Sequence, residues 1–131
     1  MPTPGTANGV IVIDGTLGGY GFVRTPIRMT VKDGDIVKIE GGPGAKWIDK
    51  EIKKAIAVGD ENANKWSEFM LGLNPKAEIT YYHENLIEDD RHLGGLNIGW
   101  GRNIHLGGIF KDEYHQDAII RDITLILDDV T

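Results

Sequence analysis

The chain has 131 residues, a formal net charge of −6, 40% hydrophobic residues and no cysteine. That size and composition fit one domain with a modest core, spanning 1–131, and exclude a disordered chain. The missing thiols exclude a disulfide scaffold and thiolate metal sites, and the acidic balance argues against nucleic-acid partners, which need a basic face.

The apolar runs fall far short of the roughly 20 residues that cross a bilayer, so no membrane association is expected. No basic-apolar leader opens the chain, and a cytoplasmic location is the expectation. Lys46, Lys50, Lys53 and Lys54, and the acidic run Glu88-Asp89-Asp90, read as solvated faces. The 18 glycines, many in pairs, point to turn-rich β structure without a repeat period.

Residues 9–14, GVIVID, read as a buried strand and a turn. The following GTLGGYGFV reads as a bulged strand or a loop close to another backbone. Residues 27–31 alternate apolar and polar side chains, KDGD turns the chain at 32–35, and IVKIE returns it. Asp33-Gly34 supplies the positive φ angles of a tight hairpin. After GGPG at 41–44, the spacing of Ile48, Ile52, Ala55 and Ile56 predicts a helix with the lysines opposite, stopped by Gly59.

Asp60 can cap a second helix, on which Trp66, Phe69 and Met70 make an i, i+3, i+4 stripe. Glu68 then points away from that stripe, about 200° round from Trp66. Asn74-Pro75 ends this helix. Residues 77–82 look extended, 84–92 are ambiguous, and 96–100 form a short strand between glycines. Ile119-Ile120 and the alternation of Ile123, Leu125 and Leu127 suggest two more strands or one bent one. The expected fold class is α+β: a mixed, mostly antiparallel sheet with two helices in the middle of the chain.

Serine and cysteine hydrolase chemistry is excluded, because Ser67 is the only serine, no G-x-S-x-G occurs and there is no cysteine. GGPGAK continues into Trp47 and so fails the phosphate-loop pattern. The segment 115–117, His-Gln-Asp, carries more. On a strand, positions i and i+2 share a face, so His115 and Asp117 converge and Gln116 faces away. This pair is either part of a metal site or a His–Asp hydrogen bond at a strand start. His105 lies in a glycine-flanked loop that can approach a ligand, although a lone histidine there is more often a surface residue, and His83 and His92 read as solvent-exposed.

Five segments run in the order of one known group: GTANGVIVIDGTLGGYG, PIRMTVKDGDIVKIEGG, SEFMLGLNPKA, LGGLNIGWG and HQDAIIRDITLILDD. Together they resemble the C-terminal, metal-site domain of the aminopeptidase T/S-type metallo-aminopeptidases, a group that also includes the iron-using 2,5-dihydroxypyridine 5,6-dioxygenases. The resemblance implies that Glu68, in E-x-x-x-G-L-N-P, binds metal together with His115 and Asp117, and a reduced single-metal site could instead take His105 as its third ligand. It implies a divalent cation (Fe, Zn, Co or Mn), a peptide or small-molecule substrate, and a homo-oligomer. Asn97 stands where the peptidases carry a histidine, Ile104-His105 where they carry a tyrosine, and the family's N-terminal domain and its glutamate ligand lie outside these residues. The first expectation is leucyl aminopeptidase-like hydrolysis by metal-bound water, incomplete or inactive in these residues alone. The alternatives are an iron(II)-dependent ring-cleaving dioxygenase and a non-catalytic oligomerisation module.

Overall fold

The computed structural model describes residues 1–80 and 86–128. Two antiparallel sheets and one long helix build the fold. β1 (Gly9–Ile13), β4 (Ile27–Lys32) and β5 (Asp35–Glu40) form the first sheet, in the order β1-β4-β5. β2 (Thr16–Leu17), β3 (Gly21–Phe22), β6 (Trp66–Leu71), β7 (Leu96–Gly101) and β8 (His115–Ile120) form the second, in the order β3-β2-β8-β7-β6. α1 (Pro43–Ala57) follows β5, and α2 (Leu86–Asp89) is a single turn.

The β4–β5 hairpin forms as its sequence demands, with Asp33 at φ 49° and Gly34 at φ 83° in the turn. The core lies where both sheets meet α1. Ile27, Met29 and Val31 come from β4, Ile98 and Trp100 from β7, Ala118 from β8, and Ala45, Ile48 and Ile52 from α1. The lysines of α1 stay on its exposed side, as its periodicity predicts. Gly15 permits the close approach expected of its segment, since a Cβ there would lie 2.5 Å from the Ile119 carbonyl oxygen. No helix among the described residues is long and apolar enough to cross a membrane.

The expected fold class needs correction at its centre. The second helix does not exist: Trp66–Leu71 is the edge strand β6, paired antiparallel with β7. Three apolar residues at helical spacing are too few to distinguish a helix from a strand, and Trp and Phe favour the strand once β7 is available. Asp60 caps nothing here. Its carboxylate instead accepts hydrogen bonds from the backbone N–H groups of Glu113 (3.4 Å) and Tyr114 (2.8 Å).

Smaller differences have similar causes. β1 is an edge strand with Val10 and Val12 exposed, rather than a buried one. The acidic run is not wholly solvated: Asp89 is fully buried. It accepts hydrogen bonds from Thr16 Oγ1 (2.7 Å), Thr80 N (2.7 Å) and Thr80 Oγ1 (2.9 Å), which give both its oxygens partners. β8 ends at Ile120, and residues 121–128 form no strand, with Leu125, Ile126 and Leu127 exposed. Residues 77–80 belong to no regular element, and the rest of that expected strand, with His83, lies outside the described residues. His92 is half-buried, its Nδ1 2.9 Å from the Ala77 carbonyl oxygen, rather than exposed.

Candidate metal centre

The site is built on one face of the second sheet. In β8, His115 pairs with Gly101 and Asp117 with Gly99. Alternation aims both side chains to one side, while Gln116 turns to the other and donates to the Gly18 carbonyl oxygen at 2.8 Å. His115 and Asp117 therefore meet as their spacing predicts, with Nε2 of the ring 3.1 Å from Asp117 Oδ2.

Glu68 reaches the same face by a different device from the one expected. Trp66 pairs with Trp100, but Glu68 pairs with Gly99, so the register slips by one residue between them. An unbroken register would set Glu68 opposite Ile98, whose side chain lies in the core. Ser67 is the extra residue of this β-bulge, and the slip turns Glu68 to the side of His115 and Asp117. The Trp66 indole N–H donates to the Glu68 carbonyl oxygen at 2.8 Å and braces the turn of the chain.

Gly99 forms the floor between the two carboxylates. A Cβ there would fall 2.6 Å from Glu68 Cγ and 3.0 Å from Asp117 Oδ1. Any larger residue would drive the carboxylates out of place. Asn97, two residues away on β7, directs its amide nitrogen toward Asp117 Oδ1 at 3.5 Å.

His105 completes the group from outside the sheet. It sits in a 3-10 turn, Ile104–Leu106, and its ring stands edge-on to that of His115 with centroids 5.3 Å apart. Glu68, His105 and His115 each present a ligand atom, and these atoms lie within 4.8 Å of one another. All four residues singled out from the sequence thus gather at one place.

The protonation pattern defines what this place can hold. His115 Nδ1 lies 2.6 Å from the Arg102 carbonyl oxygen. A carbonyl only accepts, so Nδ1 carries the proton, and in a neutral ring Nε2 is left with a lone pair. That lone pair faces Asp117 Oδ2 at 3.1 Å and Glu68 Oε2 at 3.7 Å. Acceptors face acceptors unless a proton or a cation lies among them. His115 is accordingly pushed above the usual histidine range, first by its hydrogen bond to Asp117. Burial pushes the Glu68 carboxyl up, and the neighbouring Asp117 adds to this. Glu68 is 8% exposed and its Oε2 has no hydrogen-bond partner. A buried carboxylate oxygen without a donor, beside two imidazoles, fits a divalent cation.

Sequence reasoning missed three parts of this arrangement. The Arg102 carbonyl carries no side-chain signal. The bulge at Ser67 is a property of pairing. Gly99 could have been noticed, because a glycine inside a strand often marks a close approach.

The family described as NicX, 2,5-dihydroxypyridine 5,6-dioxygenase, matches residues 1–131. Among solved structures, the 2,5-dihydroxypyridine dioxygenase from Pseudomonas putida KT2440 superposes with a TM-score of 0.80 at 22% identity, which shows a shared fold. The superposition covers 92% of this chain and 36% of that one, so the chain spans about a third of the solved protein. No match was found among curated proteins. The leucyl aminopeptidase-like expectation is corrected by these matches, because the family that spans the chain is the dioxygenase family.

Proposed function

The chain belongs to the 2,5-dihydroxypyridine 5,6-dioxygenase (NicX) family, and from that premise we propose that residues 1–131 form the metal-bearing domain of an iron(II)-dependent dioxygenase acting on a hydroxylated aromatic ring. The observation that carries the proposal is His115. Its one neutral-state proton is held by the Arg102 carbonyl, and its Nε2 lone pair is aimed among Asp117 and Glu68.

Glu68, His105 and His115 make a 2-His-1-carboxylate set, with Asp117 beside His115 as a second carboxylate. Such a set suits Fe(II), and when bound the metal supplies the one-electron chemistry that lets dioxygen react with an electron-rich ring. The protein's own residues do the rest. The Arg102 carbonyl fixes the tautomer and the plane of His115. The sheet holds Asp117 and Glu68 rigidly over Gly99. His105 lies on the exposed side of the group, where a flat substrate would enter. The full enzyme's remaining substrate contacts would come from outside these residues, and a homo-oligomer is one source of them.

Anaerobic Fe(II) titration, followed by oxygen uptake with 2,5-dihydroxypyridine, tests the proposal in the full enzyme. Stoichiometric iron and substrate-dependent uptake are expected. Uptake that persists in a His115→Ala variant would count against it.

A further inference from the structure

We propose that Asn103 is a positioning residue that sets Glu68 and His105 relative to each other, and so fixes the shape of the metal site without touching a ligand atom. The inference rests on reading Glu68 and His105 as ligands.

Asn103 is 2% exposed and stands at the N-terminal boundary of the 3-10 turn that carries His105. Asparagine there ordinarily caps the turn with its side chain, but this one makes no capping bond. Its amide serves a distant strand and the far side of its own loop instead. Nδ2 donates to the Ser67 carbonyl oxygen at 3.2 Å, and Oδ1 accepts from the Phe110 backbone N–H at 2.9 Å.

The first bond closes the bulge. Ser67 is the extra residue of β6, and an extra residue is left outside the ladder. The donor for its carbonyl therefore comes from Asn103. This bond stabilises the slipped register that turns Glu68 toward His115.

The second bond closes the loop that carries His105. Phe110 N–H is held by the Asn103 side chain, while the Phe110 carbonyl accepts from the backbone N–H groups of Asn103 and Ile104, each at 3.1 Å. Gly108 leaves room for this, since a Cβ there would collide with the Asn103 amide.

The orientation of the amide is forced. A flipped amide would set its oxygen against the Ser67 carbonyl and its NH2 against the Phe110 N–H, losing both bonds. One side chain thus ties the strand segment behind Glu68 to the loop behind His105.

Asn103→Asp tests this most selectively. It keeps the acceptor for Phe110 N–H but replaces the donor to Ser67 with an oxygen. Gly108→Ala provides a second variant, which displaces the amide without altering it, should the buried charge introduced by the first variant prevent folding. Co(II) serves as the probe, with its affinity and visible absorption band reporting the ligand set, and the melting temperature reports the fold. In metal-free protein, long-range 1H–15N spectra of the imidazoles report the placement of His105 against His115. The expected result is a Co(II) affinity lower by about tenfold or more, the range for residues that orient ligands, with an altered absorption band and shifted His105 ring signals in a folded variant. Folded variants with wild-type ring signals and wild-type Co(II) affinity would overturn the role of Asn103. Wild-type protein that bound no Co(II) would overturn the ligand reading instead, and the metal-free ring signals would then decide whether Asn103 sets the loop.

Discussion

Nε2 of His115 lies 3.1 Å from Oδ2 of Asp117, while the opposite ring nitrogen lies 2.6 Å from the Arg102 carbonyl oxygen. The ring is therefore oriented from behind and left with a lone pair in front whenever it is neutral. Replacing His115 by Ala removes the ring nitrogen that faces both Asp117 and Glu68. Metal affinity should fall by more than about 100-fold, beyond the loss seen when an orienting partner is removed. Isothermal titration of wild type and variant with Fe(II) or Co(II) measures it, and near-equal affinities would refute the ligand role.

Glu68 presents a conflict between binding and stability. Its carboxyl is buried, pushed up by that burial, and has an oxygen without a donor. A raised carboxyl favours the protonated folded state, so its contribution to stability is present in acid and is lost as pH rises through its folded pKa. Glu68→Gln removes the buried charge. The metal-free protein should then melt at a higher temperature at neutral pH, while metal affinity drops by at least about tenfold. A variant that melts lower and still binds metal normally would show that Glu68 is structural.

Gly99→Ala probes the floor of the site. The new methyl would press on Glu68 Cγ and Asp117 Oδ1, and overpacking of this kind costs about 1–3 kcal/mol. Weaker metal binding with the sheet intact by circular dichroism is the expected outcome. Unchanged binding would mean that the carboxylates need not lie over the strand.

Metal binding should depend on pH in a particular direction. Ligation needs neutral His115 and ionised Glu68, and both groups hold their protons to higher pH than usual. Protons therefore compete more strongly, and affinity should weaken on acidification from a higher pH than free glutamate and histidine would give. Titrations across a pH series in noncoordinating buffer measure this. A flat profile through the ordinary histidine range would contradict it.

Tyr114, which precedes the site, offers a check on the fold. Burial pushes its hydroxyl up to about 12 from an ordinary 10. The folded state disfavours the phenolate, so the associated stability is present below the ordinary value and is lost as pH rises through the folded one. Tyr114→Phe should flatten the alkaline fall of the melting temperature. The same slope in both proteins would assign it to other groups.

Legibility in the sequence follows the range of the interactions. The hairpin at Asp33-Gly34, the helix over Ile48 and Ile52, and the shared face of His115 and Asp117 rest on local geometry, and each forms as its residues predict. β6 imitates a helix because three apolar residues at helical spacing occur within a strand whose pairing lies far along the chain. Family resemblance alone singles out Glu68, since the helix that would turn it away from an apolar stripe does not form. The bulge at Ser67 gives the true reason for its position. Arg102 meets His115 through its backbone carbonyl, and the Asn103 amide bonds backbone groups of other segments, and partners of this kind leave little trace in the sequence.

The most direct test is the iron content of the protein, loaded anaerobically with Fe(II) and desalted, measured together with oxygen uptake on 2,5-dihydroxypyridine. One iron per chain, lost in His115→Ala along with substrate-dependent uptake, is the expected result. Uptake without bound iron, or iron retained in full after His115 is removed, would contradict the metal centre at Glu68, His105 and His115.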